Sequence, residues 1–267
     1  MPLNTWNHIQ WSAKGASNEH LRKKHPKKEA SLEGLVVLAT LDSSHPCTHI
    51  NDSFIITHGH IQHHNTLISE VKSLPKTVAK HNSRGLGIEF GWSVLPGYGR
   101  GKADVEYRNG ICQPYQRSGN NHKKTQVLQE SHVKPLMSWM WEELQKAFPK
   151  EAEFFLGRTP ERYRYVPGTA FSKVTVALNN PAGFHYDKHN LHGSMTAIYI
   201  TTDPECEGGE QVLEENGEAI VIQAHSGCLI IGDYTHFRHC VLPTLKGNRV
   251  AIIAYSMEQI YQYTKDE

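Results

Sequence analysis

The stretch "FSKVTVALNNPAGFHYDKHNLHGSMTAIYIT" (171–201) reads as two short strands around a polar turn. It is bounded by KVTVAL and MTAIYIT, short segments in which apolar residues alternate or run together, and the turn-forming NNPAG lies between them. The same pattern continues toward the C-terminus. ECEGGE and ENG lead to EAIVIQ (218–223), AHSG to GCLIIGD (227–233), and TLKGN separates FRHCVL (237–242) from RVAIIAYS (249–256), all of these connections being rich in turn residues. Many short strands at this spacing predict an antiparallel sandwich or jelly roll over roughly 170–260.

In the N-terminal direction the period changes. Val133, Leu136, Met137, Met140, Trp141, Leu144 and Phe148 recur at helical spacing, with Pro149 just past the last, so SHVKPLMSWMWEELQKAFPK reads as a core helix. Residues 84–121 are dense in glycine and aromatics, which predicts long loops and short strands. GLVVLAT (34–40) reads as a strand. HGHIQHH (58–64) is the richest histidine cluster, but no cysteine or second histidine pair follows at zinc spacing. It is read as a polar lead-in to the helical NTLISEVKSLPKTVAKH. Over 1–30 the chain is polar and ends in the basic run Arg22 to Lys28, expected to be a flexible solvated segment or a foothold on phosphate. The expected organisation is therefore this segment followed by one domain over 31–267. Within that domain, 31–170 would supply flanking helices, strands and loops around a β core over 171–260.

A chain of 267 residues can bury a core without disulfides or a structural metal. A formal charge of +1 leaves any anionic partner to a local basic patch. Five scattered cysteines without a CxxC pair suit a reducing compartment. The first residues hold no apolar signal region, and no run is long enough to span a bilayer. The expectation is a monomer of the cytoplasm or nucleus, with no membrane partner.

FHYDKHN (184–190) places His185 and Asp187 two apart, so on an extended segment both point to one side. His236 and His239 both qualify as a third ligand. We favour His239, because it sits inside the apolar FRHCVL, where an imidazole is costly without a polar partner. Two histidines and one carboxylate with positions left open suit non-haem Fe(II) that activates oxygen. Such an enzyme commonly draws electrons from an oxo-acid whose far carboxylate needs a cation. Arg249, ten residues after His239 and expected on the strand paired with it, offers a bidentate fork. HxD, then GGE (208–210), then a strand histidine and an arginine form the ordered set that carries this reading. A binding module that has lost catalysis is disfavoured by the intact set.

Residues 171–256 resemble the ten-eleven translocation and J-binding-protein (TET/JBP) group of Fe(II)/2-oxoglutarate dioxygenases. The resemblance implies a mainly β fold with flanking helices, built on a double-stranded β-helix (jelly roll, cupin-like). It implies iron on His185, Asp187 and His239, 2-oxoglutarate on Arg249, and ascorbate as an accessory reductant. The implied reaction is oxidation of the methyl group of 5-methylcytosine or thymine in methylated DNA. Tyr255, six residues after the arginine, holds the position of an aromatic that stacks on the flipped base. Asn190 stands where some relatives carry an acid, and is placed with Tyr255 among the substrate-binding residues. Met257 replaces a histidine that reads the pyrimidine edge. The iron and oxo-acid residues are shared with prolyl hydroxylase-like enzymes acting on protein side chains or small molecules, which is the alternative. Cations interleaved with aromatics in RTPERYRY (158–165) and the GYGRGK loop are expected phosphate contacts.

Overall fold

The computed structural model describes residues 32, 34–42, 47–51, 54–58, 64–74, 80–82, 85–95, 111–114, 125–223 and 225–264. The basic run, most of the histidine cluster and the GYGRGK loop lie outside these residues. In chain order the first strands are β1 (Val36–Asp42), β2 (Cys47–Asn51), β3 (Phe54–His58), β4 (Lys80–Asn82), β5 (Gly85–Leu95) and β6 (Ile111–Pro114). The core follows with β7 (Lys173–Leu178), β8 (Ala182–His185), β9 (Thr196–Thr202), β10 (Glu207–Gly208), β11 (Gln211–Glu215) and β12 (Glu218–Gln223). It closes with β13 (Cys228–Gly232), β14 (Arg238–Val241), β15 (Thr244–Lys246) and β16 (Arg249–Tyr255). The helices are α1 (His64–Ser73), α2 (Lys134–Ala147), α3 (Pro149–Arg158) and α4 (Glu258–Thr264).

The core strands divide between two facing sheets. One contains β13-β9-β16-β7 in that order, and the other contains β12-β11-β14-β8. The chain thus passes from sheet to sheet, except at the β11–β12 hairpin within the smaller sheet, which is the winding of a double-stranded β-helix. Period-two alternation produces two cores from one strand. On β16, Val250, Ile252 and Ala254 face the helical layer. Ala251 faces the space between the sheets with Ile198, Ile200, Leu213, Ile220 and Ile230, and Ile253 packs against that cluster. Glycine at the end of β13 is a packing requirement, because a Cβ on Gly232 would lie 1.9 Å from Cδ1 of Phe54.

α2 covers the larger sheet with the residues expected from its spacing: Leu136, Met137, Met140, Trp141 and Leu144 are all buried. A π turn, Gln129–Val133, leads into it, and Pro149 opens α3 at the position where its missing N–H costs nothing. Trp141, Phe155 and Phe171 meet edge to face at 5.5–5.8 Å, locking both helices to the start of β7. Aromatic pairs of this kind add roughly 0.5–1.5 kcal/mol each beyond their buried area.

The N-terminal strands extend the sheets: β1 pairs in parallel with β12, while β3 pairs antiparallel with β13 and β5 antiparallel with β7. The composition of 84–121 predicts loops and short strands, but β5 is one strand of 11 residues. Its glycines serve the pairing. Gly91 has φ +102°, and its missing side chain lets the backbone come close to the Ser172 carbonyl, where a Cβ would be 2.3 Å away. Among the described residues no helix is long and apolar enough to cross a membrane.

Candidate metal centre

β14 and β8 are antiparallel neighbours in the smaller sheet, and their register sets His239 directly opposite His185. The imidazole centroids are 4.2 Å apart. β8 stops at His185, so Asp187 reaches the same point from a turn and not from a continued strand. Its N–H donates to the Tyr234 carbonyl at 3.0 Å, and its own carbonyl accepts from Asn190 N–H at 3.0 Å. Asp187 Oδ1 lies 3.5 Å from His185 Nε2 and 3.7 Å from His239 Nε2. One ligand atom from each residue falls within 4.8 Å of the others.

Backbone carbonyls aim both rings. His185 Nδ1 donates to Gly183 O at 2.7 Å, and His239 Nδ1 donates to Phe237 O at 3.1 Å. With the protons held on Nδ1, both Nε2 lone pairs point at the space beside Asp187 Oδ1, the outer-shell arrangement typical of metal-ligating histidines. Asp187 Oδ2 is occupied separately by the Asn190 amide at 3.1 Å, leaving Oδ1 as the inward donor.

Electrostatics follow from position. Burial, together with the adjacent His185, pushes His239 down to about 4, so it is a neutral ligand at physiological pH. Burial pushes Asp187 up, but the His185 hydrogen bond and the charges of His239 and His185 win and hold it below the usual carboxylate range. For His185, burial acts downward and is outweighed by the hydrogen bond and charge of Asp187, so its value is raised above 6.5. A divalent cation must displace that proton. Affinity for Mn(II) is therefore expected to fall as pH drops below the raised His185 value, by about tenfold per unit with one proton released per ion. Competition titrations on either side of that value check this.

His236, the other histidine candidate, is 64% exposed and held by Asp233 Oδ2 at 2.6 Å, away from the group. Asn190 differs from the expectation of a substrate contact. It is buried at 5% exposure, and its amide donates to Asp187 Oδ2 and to Thr196 Oγ1 at 3.0 Å, so it positions the carboxylate. Asn190→Ala is expected to weaken metal affinity roughly 10–100-fold, the usual cost of an outer-shell partner. Calorimetric titration with Mn(II) measures it.

Arg249 starts β16, which pairs with β9 and β7 in the larger sheet; this corrects the expected pairing with the strand of His239. The turn after β14 crosses between sheets, so the guanidinium faces the smaller sheet across the barrel. It is 3% exposed, and Nε and Nη2 have no hydrogen-bond partner among the described residues. Burial pulls its pKa down, but a guanidinium does not lose its charge in a protein. The GGE glycines make room for it: Gly209 has φ +75°, and a Cβ there would lie 2.7 Å from Arg249 Cδ. Tyr255 lies at the other end of β16 on the same face, with its hydroxyl 3.3 Å from that of Thr175. That end adjoins the Asp187 turn, since Leu191 N–H donates to Ser256 O at 2.8 Å and Asn190 bridges Met257.

Two residues had no sequence signal. Tyr234 is fully buried with its ring edge-on to His239 at 4.7 Å, and its hydroxyl lies 2.6 Å from the amide of the second, Gln211. The RTPERYRY segment departs from the phosphate-contact reading. Arg158 lies between the rings of Phe154 and Tyr261 at 4.4 and 4.6 Å. Arg164 donates to the Leu156 and Thr159 carbonyls at 2.9 Å, capping α3, and Tyr165 donates to Gln129. Tyr163 is buried against Trp92. Helix-end carbonyls need partners, and Arg164 supplies them.

The barrel and its site define a double-stranded β-helix with a two-histidine, one-carboxylate cluster at one mouth. No protein-family model matches the chain, and no curated protein matches it. Among solved structures, NgTET1 in complex with 5mC DNA shares the fold, with TM-score 0.56 and 9% identity over 84% of each chain. A 2OG-Fe(II) oxygenase-family oxidoreductase from Burkholderia pseudomallei gives TM-score 0.44 at 11% identity over 77% of this chain and 84% of its own. A Pseudomonas putida prolyl-4-hydroxylase gives 0.42 at 12%, over 77% and 92%. The last two likenesses are too loose to build on.

Proposed function

We propose that the chain is an Fe(II)- and 2-oxoglutarate-dependent dioxygenase that oxidises the methyl group of a 5-methylpyrimidine in DNA. The observation that carries the enzyme reading is a buried guanidinium with two nitrogens, Nε and Nη2, unpaired among the described residues, inside a barrel whose mouth gathers His185, Asp187 and His239. An unpaired buried charge costs several kcal/mol, so its retention fits a site awaiting an anion. The donor set suits Fe(II), and the fork suits the far carboxylate of the oxo-acid.

When bound, Fe(II) supplies the coupling of oxygen reduction to oxo-acid decarboxylation that makes a C–H bond reactive. The chain's own residues do the rest. Neutral His239 and the carbonyl-anchored His185 present lone pairs, Asn190 fixes Asp187, and Arg249 orients the oxo-acid along the barrel. The apolar lining of Ile198, Ile220 and Leu213 excludes water.

The DNA reading is supported by the ordered resemblance over 171–256, by Tyr255 at the metal end of β16, and by the fold shared with NgTET1, a protein solved in complex with 5mC DNA. Tyr255 would offer its face to a base drawn out of the duplex. A protein or small-molecule hydroxylase of the same fold is the second reading. It is favoured by the internal engagement of Arg158, Arg164, Tyr163 and Tyr165, which leaves Arg162 as the exposed arginine of that segment, and by Met257, which cannot make a histidine's hydrogen bond. Incubation with methylated oligonucleotides, Fe(II), ascorbate and 2-oxoglutarate, followed by nucleoside mass spectrometry, tests the choice. Oxidised methylpyrimidine is expected, with Tyr255→Ala reducing it. Succinate formation without any changed base would favour the second reading.

A further inference from the structure

Gln211 is 1% exposed and carries a buried amide oxygen without a partner among the described residues, in the same barrel as the unpaired Nε and Nη2 of Arg249. It opens β11 with its side chain on the face of Leu213, the residue paired with His239. In this orientation its Nε2 donates to Tyr234 Oη at 2.6 Å. That separation is short for an amide N–H donor, whose usual range starts at about 2.7 Å, and ordinary for a hydroxyl donating to oxygen. Oxygen and nitrogen of a side-chain amide are distinguished by their hydrogen bonds and not by shape. Exchanging them makes Tyr234 O–H the donor to Gln211 Oε1. The buried acceptor is then satisfied, and Nε2 is turned toward the barrel interior.

The exchange changes what the chamber recognises. Before it, an anion on Arg249 would share the barrel interior with an unpaired carbonyl oxygen, which repels it. After the exchange, the chamber offers the guanidinium donors and an amide donor, and no orphaned acceptor. Tyr234 is well placed to hold this state: its ring is wedged against Phe54 and His239, at 5.1 and 4.7 Å, so the hydroxyl cannot swing away.

We infer that Gln211, oriented by Tyr234, is a specificity-determining residue whose amide donates to the distal carboxylate of the oxo-acid held by Arg249, selecting a dicarboxylic over a monocarboxylic co-substrate. This rests on the dioxygenase reading above. The test is calorimetric binding of 2-oxoglutarate and of 2-oxopentanoate, which keeps the chain length but ends in a methyl group, to the Mn(II)-loaded protein. Gln211→Met, nearly isosteric, is expected to weaken 2-oxoglutarate by about tenfold, the usual scale for a hydrogen bond to a charged group, and to leave 2-oxopentanoate within about twofold. Gln211→Glu is expected to weaken the dicarboxylate further, by like-charge repulsion and by its own pairing with Arg249. Tyr234→Phe is expected to give a smaller loss in the same direction, because the amide survives but is no longer aimed.

Unchanged 2-oxoglutarate binding in Gln211→Met, or an equal loss for both acids, overturns the inference while leaving the dioxygenase reading standing. Absence of 2-oxoglutarate binding by the unsubstituted Mn(II)-loaded protein overturns both. Should Gln211→Met fail to fold, the ratio of the two acids' affinities in Tyr234→Phe decides, and a ratio equal to that of the unsubstituted protein counts against the inference.

Discussion

Asp187→Ala is expected to abolish metal-dependent turnover and to weaken Mn(II) by more than the roughly 10–100-fold that an outer-shell loss costs. Asp187 is the one anionic donor of the cluster, and its removal leaves two neutral imidazoles, of which His239 is held near a pKa of about 4. The fold is expected to persist. The turn is held by backbone bonds that alanine keeps, Asp187 N–H to Tyr234 O and Asn190 N–H to Asp187 O, both at 3.0 Å. Titration with Mn(II), beside a thermal melt, reads both quantities. Full metal affinity in a folded Asp187→Ala protein would remove this carboxylate from the site.

Arg249→Leu is expected to act in opposite directions on binding and stability. Truncating one partner of a buried, hydrogen-bonded charge pair costs on the order of 2–5 kcal/mol, roughly 30- to 4,000-fold in co-substrate affinity. Without the co-substrate, the same guanidinium is a buried charge with Nε and Nη2 unsatisfied, and replacing such a group by an apolar one is often neutral or stabilising. The free variant is therefore expected to melt no lower than the parent while losing the rise in melting temperature that 2-oxoglutarate gives the parent. Arg249→Lys is expected to recover only part of the affinity, since an ammonium cannot form the fork. Unaltered 2-oxoglutarate affinity in Arg249→Leu would place the oxo-acid elsewhere.

Much of the fold is legible in the sequence because strand periodicity is local. KVTVAL, EAIVIQ, CLIIG and RVAIIAY declare themselves within five to seven residues, and their turns carry glycine and asparagine. β11 does not, since QVLEE ends in two acids and its interior face shows only Gln211 and Leu213 before Glu215. β1 is visible as GLVVLAT, but its parallel pairing of Val36 with Glu218 joins residues far apart in the chain, and no local pattern encodes such a partner. The same distinction runs through the site. His239 is separable from His236 because an apolar strand is a poor place for an unpartnered imidazole, a property readable from its neighbours. The bonds of Asn190 escape sequence reasoning because they go to two atoms, Asp187 Oδ2 and Thr196 Oγ1, whose positions exist only after folding. Tyr234 and Gln211 escape notice for the same reason: their significance is a mutual distance of 2.6 Å between a loop and a strand start. Arg158 and Arg164 read as part of a basic, aromatic-rich surface because composition cannot tell an arginine that caps a helix from one that faces solvent.

In the proposed enzyme one metal ion sits between β8, β14 and the Asp187 turn, with an oxo-acid running from it to Arg249. A crystal structure of the protein with Mn(II) and 2-oxoglutarate tests this arrangement. The ion is expected to be bonded to His185 Nε2, His239 Nε2 and Asp187 Oδ1, with the distal carboxylate on the Arg249 guanidinium. An ion on His236 or on other residues, or an acid whose distal carboxylate lies away from Arg249, would contradict it.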